Sequence, residues 1–188
     1  MCMMCDGATR DEVRASLRQK IDTHGWTVQG VVPAGGLPGW LYTIGLIERF
    51  GHPELVLATC DPAAGQSLLV DLVAKVEAGG SLVDLDEVSL PEGSYSIGPA
   101  HPAQLRAGLL AAWTDLYGSE GRYDLPLGAL VVEAYEYICP ACRVVDLRQA
   151  GPILNRPHVP RSGRKRSAKG PGRKGPTRPG QYAARRRP

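Results

Sequence analysis

The sequence predicts an α+β fold: a mainly antiparallel sheet with two or three helices, followed by a disordered basic C-terminal tail. Three observations carry the prediction. Strand-like runs follow one another early in the chain and again late, with helical periodicities between them. Charge segregates along the chain. Residues 1–154 hold 10 Lys and Arg against all 19 Asp and Glu, whereas residues 155–188 hold 12 Lys and Arg and no acid. Finally, apolar residues make up 43% of the 188, enough for one core, and few of them lie beyond residue 154.

The first helix is announced by Thr9-Arg10-Asp11-Glu12, a capping box in which hydroxyl and carboxylate satisfy reciprocal backbone amides. Val13, Leu17 and Ile21 then recur every four residues, and Gly25 is a natural stop. Trp26 to Val32 and Trp40 to Leu46 read as two strands across a Pro/Gly-rich loop, which suggests a hairpin. Leu55-Val56-Leu57-Ala58 reads as a buried strand. Asp61-Pro62 is an N-cap with proline at the first helical position, and Leu68, Leu69, Leu72, Val73 and Val76 form the apolar face of the helix it opens. A short strand falls within 81–93 and another within Tyr95 to Ile97. Pro102 starts a third helix that runs through Leu105, Leu109 and Trp113 to Tyr117. Ala129 to Ile138 is the strongest strand pattern, and Arg143 to Leu147 a last short one.

The predicted domain is residues 1–154. From 155 onward Val159, Tyr182, Ala183 and Ala184 are the main apolar exceptions, too few to offset the entropy of ordering. No apolar run approaches the ~20 residues that span a bilayer, and the first six residues lack the pattern of a secretory signal. The expectation is a cytoplasmic protein with no membrane span.

Five cysteines form two Cys-x-x-Cys pairs, Cys2/Cys5 and Cys139/Cys142, with Cys60 left over. Two such pairs supply the four thiolates of a tetrahedral structural zinc site. Compact zinc ribbons separate their pairs by roughly 15–20 residues; here only tertiary folding closes the shell, tying the N-terminus to the last hairpin. Two other readings stand beside it. Cys-Pro-x-Cys also serves as a redox pair at a helix N-terminus, although the residues after Cys142 read as strand, and all four cysteines can simply be unligated thiols. Cys60 is read as a small core residue.

The first 80 or so residues resemble the bacterial domain of unknown function 4262 family. The resemblance is carried by Cys2-x-x-Cys5-Asp6, by His24-Gly25-Trp26, by Pro38-Gly39-Trp40-Leu41-Tyr42-Thr43-Ile44-Gly45-Leu46, and by Gly51-His52-Pro53-Glu54-Leu55. The family brings no assigned activity, so the resemblance implies no mechanism. Read physically, His52 and Glu54 flank Pro53, and strand alternation puts both on one face, where they can act as base and orienting partner beside Tyr42 and Thr43. The alternative is that His52 caps a turn and Glu54 is a solvated edge charge. His24 and His101 are read as capping or surface residues, and Trp26, Trp40 and Trp113 as core.

The cationic stretch 155–188, with Arg161-Ser162-Gly163-Arg164-Lys165-Arg166 and Arg185-Arg186-Arg187, is drawn to polyanions such as RNA or DNA by counterion release; a solubilising tail is the competing reading. Three function classes follow: a nucleic-acid-associated protein, a small-ligand enzyme with a site near Tyr42, Thr43, His52 and Glu54, and a protein-interaction module. The sequence names no small-molecule substrate.

Overall fold

The computed structural model describes residues 7–32, 38–59, 61–134 and 146–149. Eleven elements are described in chain order: α1 (Arg10–His24), β1 (Thr27–Val31), β2 (Gly39–Ile44), α2 (Leu46–Phe50), β3 (Glu54–Thr59), α3 (Pro62–Glu77), β4 (Glu87–Leu90), β5 (Gly93–Pro99), α4 (Pro102–Arg106), α5 (Ala111–Ser119) and β6 (Ala129–Ala134). The six strands form one sheet in the order β1-β2-β3-β6-β5-β4. Four of its pairings are antiparallel and one, β3 with β6, is parallel. The mainly antiparallel α+β fold expected from the sequence is therefore the one observed.

Helices cover both faces of the sheet, and side-chain alternation sorts the core into two halves. Trp40, Tyr42 and Ile44 of β2, Val56 of β3 and Val131 of β6 pack with Leu17 and Ile21 of α1 and with Trp113, Leu116 and Tyr117 of α5. Leu41, Leu55, Leu57, Leu130 and Val132, one residue out of phase, pack with Leu69, Leu72, Val73 and Val76 of α3. Because the central strands are covered on both sides, every residue of β2 is buried, and β2 and β3 read as continuous apolar runs rather than as alternating ones.

The predicted starts of α1 and α3 are exact in their chemistry. The Thr9 hydroxyl accepts the Glu12 N–H, and the Glu12 carboxylate accepts the Thr9 N–H at 2.7 Å. The Asp61 carboxylate accepts from the N–H groups of Ala63 and Ala64. The three tryptophans read as core divide: Trp40 and Trp113 are buried, whereas Trp26 is half-buried.

Three expectations change. The helix predicted from Pro102 to Tyr117 is two helices, α4 and α5, because Gly108 takes φ +94° and turns the chain, which inserts Leu109 and Leu110 into the core between them. The strand predicted to run to Leu46 stops at Ile44; Gly45 leaves the extended conformation at φ +116°, and Leu46 opens the unforeseen helix α2. Asp146–Gln149 is a turn rather than the end of a strand, with the Leu147 carbonyl accepting from the His101 N–H. The remainder of that predicted strand, the end of the 129–138 run, all five cysteines and the tail lie outside the described residues.

Candidate functional site

Two helices of this fold lack caps of their own. The residue before α2 is Gly45 and the residue before α5 is Leu110, and neither offers a side-chain oxygen to the first free amides. Those amides would be buried without partners, which is costly. The residues singled out in the sequence meet this need from neighbouring strands.

Tyr42, buried on β2, points its ring at α5. Its hydroxyl oxygen accepts the Ala112 N–H at 2.9 Å, one of the orphan amides of that helix. Trp40, two residues earlier on the same face, donates its indole N–H to the Leu109 carbonyl at 3.0 Å, in the turn between α4 and α5. Burial raises the Tyr42 phenol well above its ordinary value, so this hydroxyl stays protonated.

Glu54 does the same for α2. It is only 1% exposed, at the first residue of β3. Its Oε1 accepts the Gly45 N–H at 3.0 Å and the Trp113 indole N–H at 3.2 Å. Its Oε2 accepts the Thr43 hydroxyl at 2.7 Å and the Leu46 N–H at 3.4 Å. Thr43 in turn accepts the Leu55 N–H at 2.8 Å. The β2–β3 ladder runs only to Tyr42 opposite Val56; beyond it, the Thr43 side chain takes over an amide the ladder would have used. Burial drives the Glu54 carboxyl up to about 7, against the pull of the Thr43 hydroxyl and the backbone N–H groups of Gly45, Ile47 and Leu46. The described residues give it no ion-pair partner.

His52 turns elsewhere. Its Nε2 accepts the Leu82 N–H at 3.2 Å, which fixes the proton on Nδ1, and Nδ1–H donates to the Pro53 carbonyl at 2.7 Å. Leu82 belongs to the core half under α3, whereas Trp113, the partner of Glu54, belongs to the half under α5. The expectation that His52 and Glu54 form a base and its orienting partner on one face is thus not what the hydrogen bonds describe: Thr43 and Glu54 are joined, and His52 serves the loop before β4. Nor is Glu54 a solvated edge charge. Burial also lowers the His52 pKa, so the neutral ring persists at neutral pH. His101 caps α4 through Nδ1, which accepts the Ala103 N–H.

Several residues of this region escaped sequence reasoning. Trp113 and Tyr117, one helical turn apart on α5 with ring centroids 4.7 Å apart, present their polar edges to Glu54 and Glu48 respectively. Glu48 accepts from the Tyr117 hydroxyl and from Arg18 and Arg122, and Arg18 also binds Glu120 and lies over the Tyr117 ring. An i, i+4 aromatic pair was the available signal, but its partners are far away in sequence. Gly45, which follows Tyr42-Thr43 in a sequence that allows close backbone approach, is where the chain comes that close. A Cβ there would lie 2.7 Å from the Gly25 carbonyl oxygen and 2.9 Å from the Trp26 Cα.

These contacts bring together three of the four stretches that carry the resemblance: Gly25-Trp26 lies against Gly45, Tyr42 serves α5, and Glu54 binds Thr43, Gly45 and Leu46; the fourth, Cys2-x-x-Cys5-Asp6, lies outside the described residues. The family model described as a domain of unknown function (DUF4262) matches residues 20–119, which is 100 of the 188. The chain belongs to that family. The DUF4262 match extends past the first 80 residues, which carry the resemblance in the sequence, and takes in α3, the β4–β5 hairpin, α4 and α5. It begins after Cys2 and Cys5, so the first Cys-x-x-Cys pair is no part of the matched stretch. No curated protein and no solved structure matches the chain. Among the described residues there is no group of three or more metal-ligating side chains, and no helix is long and apolar enough to cross a membrane.

In chemical terms, the polar atoms of Tyr42, Thr43, His52 and Glu54 are engaged by the protein itself. Around β2 and β3 of this chain, Glu54 and Tyr42 serve the first amides of α2 and α5 and so hold both helices on the sheet.

Proposed function

We infer that this DUF4262 protein is nucleic-acid-associated, with residues 155–188 as the segment that binds RNA or DNA and the folded part as its carrier. The observation that carries the reading is the composition of that segment: 12 Lys and Arg and no acid in 34 residues. Such a segment binds polyanions by releasing condensed counterions and reads no sequence. The internal use of the Tyr42, Thr43, His52 and Glu54 polar atoms supports a carrier over an enzyme built on those four residues. Within the carrier, Cys2, Cys5, Cys139 and Cys142 hold one structural zinc ion; the donor set of two Cys-x-x-Cys pairs supports this.

The test is a salt titration of binding to single-stranded RNA by the full chain and by a chain ending at residue 154. The full chain is expected to lose affinity steeply as salt rises. Each neutralised phosphate contributes about −0.7 to the log–log slope, so twelve cations set an upper limit of roughly −8. The truncated chain is expected to bind far more weakly. Equal affinity of the two overturns the reading. For zinc, one equivalent per chain is expected in elemental analysis, lost in Cys139→Ser/Cys142→Ser; a metal-free wild-type protein purified under reducing conditions without chelator refutes it.

A further inference from the structure

A shallow groove of about 410 Å³ is walled by His24 from the end of α1, Trp26 and Val28 from the start of β1, and Gln66, Val70 and Glu77 from α3. Its volume falls within the range of small-molecule sites, roughly 300–1,000 Å³. His24 and Trp26 belong to a stretch that carries the family resemblance, and the caps supplied by Glu54 and Tyr42 make no use of their side chains. The indole is fixed in place: its N–H donates to Glu77 Oε1 at 3.0 Å, and a Cβ at Gly45 would lie 2.9 Å from the Trp26 Cα. The polar groups around it are not spent. The second carboxylate oxygen of Glu77, the His24 ring and the Gln66 amide make no hydrogen bond or ion pair among the described residues. Tyr42, Thr43, His52 and Glu54 are the opposite case, with their polar atoms engaged by the protein. Glu77 is also the last residue of α3, where the helix dipole is negative. The stretch 61–92 to which it belongs holds seven carboxylates and one cation, Lys75.

We propose that this groove binds a small primary alkylammonium ion, its ammonium on the free oxygen of Glu77 and beside the Trp26 indole, its hydrocarbon arm on Val28 and Val70. Charge complementarity selects the cation: a lone carboxylate at the negative end of a helix, in an acidic stretch, repels anions and draws cations in. The indole adds cation–π attraction, and each ammonium N–H meets an acceptor in Glu77, the Gln66 amide oxygen or the His24 ring. A quaternary ammonium has no N–H for those acceptors, and a neutral apolar ligand leaves the carboxylate without a counterion. Val70, 43% exposed on the α3 wall, offers the apolar surface that the arm covers. A free amine needs only the groove, whereas a lysine on a partner protein needs about 800 Å² of matching surface around it. The site lies on the folded part and does not depend on the nucleic-acid reading of residues 155–188.

The experiment is a titration of the full chain with n-butylammonium chloride under reducing conditions at neutral pH, read by NMR at the Trp26 indole N–H. The resonance is expected to shift and saturate, with n-butanol, butyrate and tetramethylammonium each binding about fivefold or more weakly. Glu77→Gln keeps an acceptor for the indole N–H but removes the charge, and is expected to weaken butylammonium by about fivefold. Gln66→Lys, at an exposed position, tethers a cation on the groove wall and is expected to cost more. A shift that does not saturate overturns the proposal. So does an equal shift from sodium chloride, n-butanol bound as tightly as the ammonium, or an affinity that both variants leave unchanged. A lysine with blocked termini that binds more tightly than the free amine also overturns it, since the occupant is then a partner's side chain. Should Glu77→Gln fail to fold, Gln66→Lys and the wild-type comparison with n-butanol decide.

Discussion

Glu54 is a buried carboxyl with four donors and, among the described residues, no cationic partner, and that combination makes its titration visible in the stability of the whole domain. Its folded pKa, about 7, lies above the ordinary value of 4.5. Between those values the native state keeps a proton that the unfolded chain has lost. The stabilisation linked to this group is therefore fully present below about 4.5 and is lost as pH rises through about 7, a change of about 3 kcal/mol over the window. His52 works in the opposite direction: its folded pKa is depressed below 6.5, so its share is present above 6.5 and is lost as pH falls. Urea unfolding between pH 5 and 8 is expected to show wild-type stability falling toward pH 8, and Glu54→Gln flattening that decline. A decline unchanged in Glu54→Gln would mean that the carboxyl is not the titrating group. The substitution should also cost stability of its own, because the Gln NH2 group faces either the Gly45 N–H and Trp113 Nε1–H or, flipped, the Leu46 N–H and the Thr43 hydroxyl. Gly45→Ala is expected to be worse, losing at least about 2–3 kcal/mol: the backbone sits at φ +116° and the new methyl meets the Gly25 carbonyl. Thermal melts of that variant should show a large fall in Tm or no folded protein. At this scale the sequence displays which residues stand out, since Tyr42, Thr43, His52 and Glu54 all have structural roles, but not what they do. Apolar patterning says that a position is buried; it does not say that the acid there faces an indole 59 residues away.

The same distinction decides which helices could be read. α1 and α3 carry their N-caps in their own sequence, Thr9 with Glu12 and Asp61 with Pro62, and both starts are legible there. α2 and α5 borrow theirs, from Glu54 and Tyr42, so the sequence around each start carries no opening signal: nothing local announces α2, and α5 reads as a continuation of α4. Borrowed caps are buried, and their loss should cost more. Tyr42→Phe keeps the ring but strands the Ala112 N–H without its acceptor, for an expected cost of about 1–3 kcal/mol. Thr9→Ala removes an exposed cap whose amides water can serve, for about 1 kcal/mol or less. Chemical denaturation of the two variants side by side checks the order. A Tyr42→Phe chain as stable as wild type would show that α5 does not need the hydroxyl.

For the molecule as a whole, the distribution of charge matters more than its sum. The ion pairs among the described residues gather where α1, α2 and α5 meet, around Arg14, Arg18, Glu48, Asp115 and Arg122, with Arg148 and Glu133 apart from them. Residues 61–92, in contrast, hold seven carboxylates and a single cation, Lys75, and make no ion pair among the described residues. All seven are exposed, on α3, the loop after it and the β4 edge. Like charges spaced by several ångströms repel through water until the Debye length shrinks below their separation, from about 30 Å at 0.01 M salt to about 8 Å at 0.15 M. Contact pairs such as Arg18 with Glu48, at 3.0 Å and half-buried, are screened far less over that range. Repulsion should therefore be relieved faster than attraction is lost, and the domain is expected to gain stability as sodium chloride rises from 0.01 to 0.15 M. A gain of about 1 kcal/mol corresponds to about 2–4 °C in Tm for a protein of this size. The triple variant Asp84→Asn/Asp86→Asn/Glu87→Gln, which removes three of the seven charges, should start higher at low salt and gain less on addition. Melting curves at the two salt concentrations for both proteins separate the possibilities: if wild type and variant respond to salt alike, the unpaired acids of this face do not set the electrostatic strain of the fold.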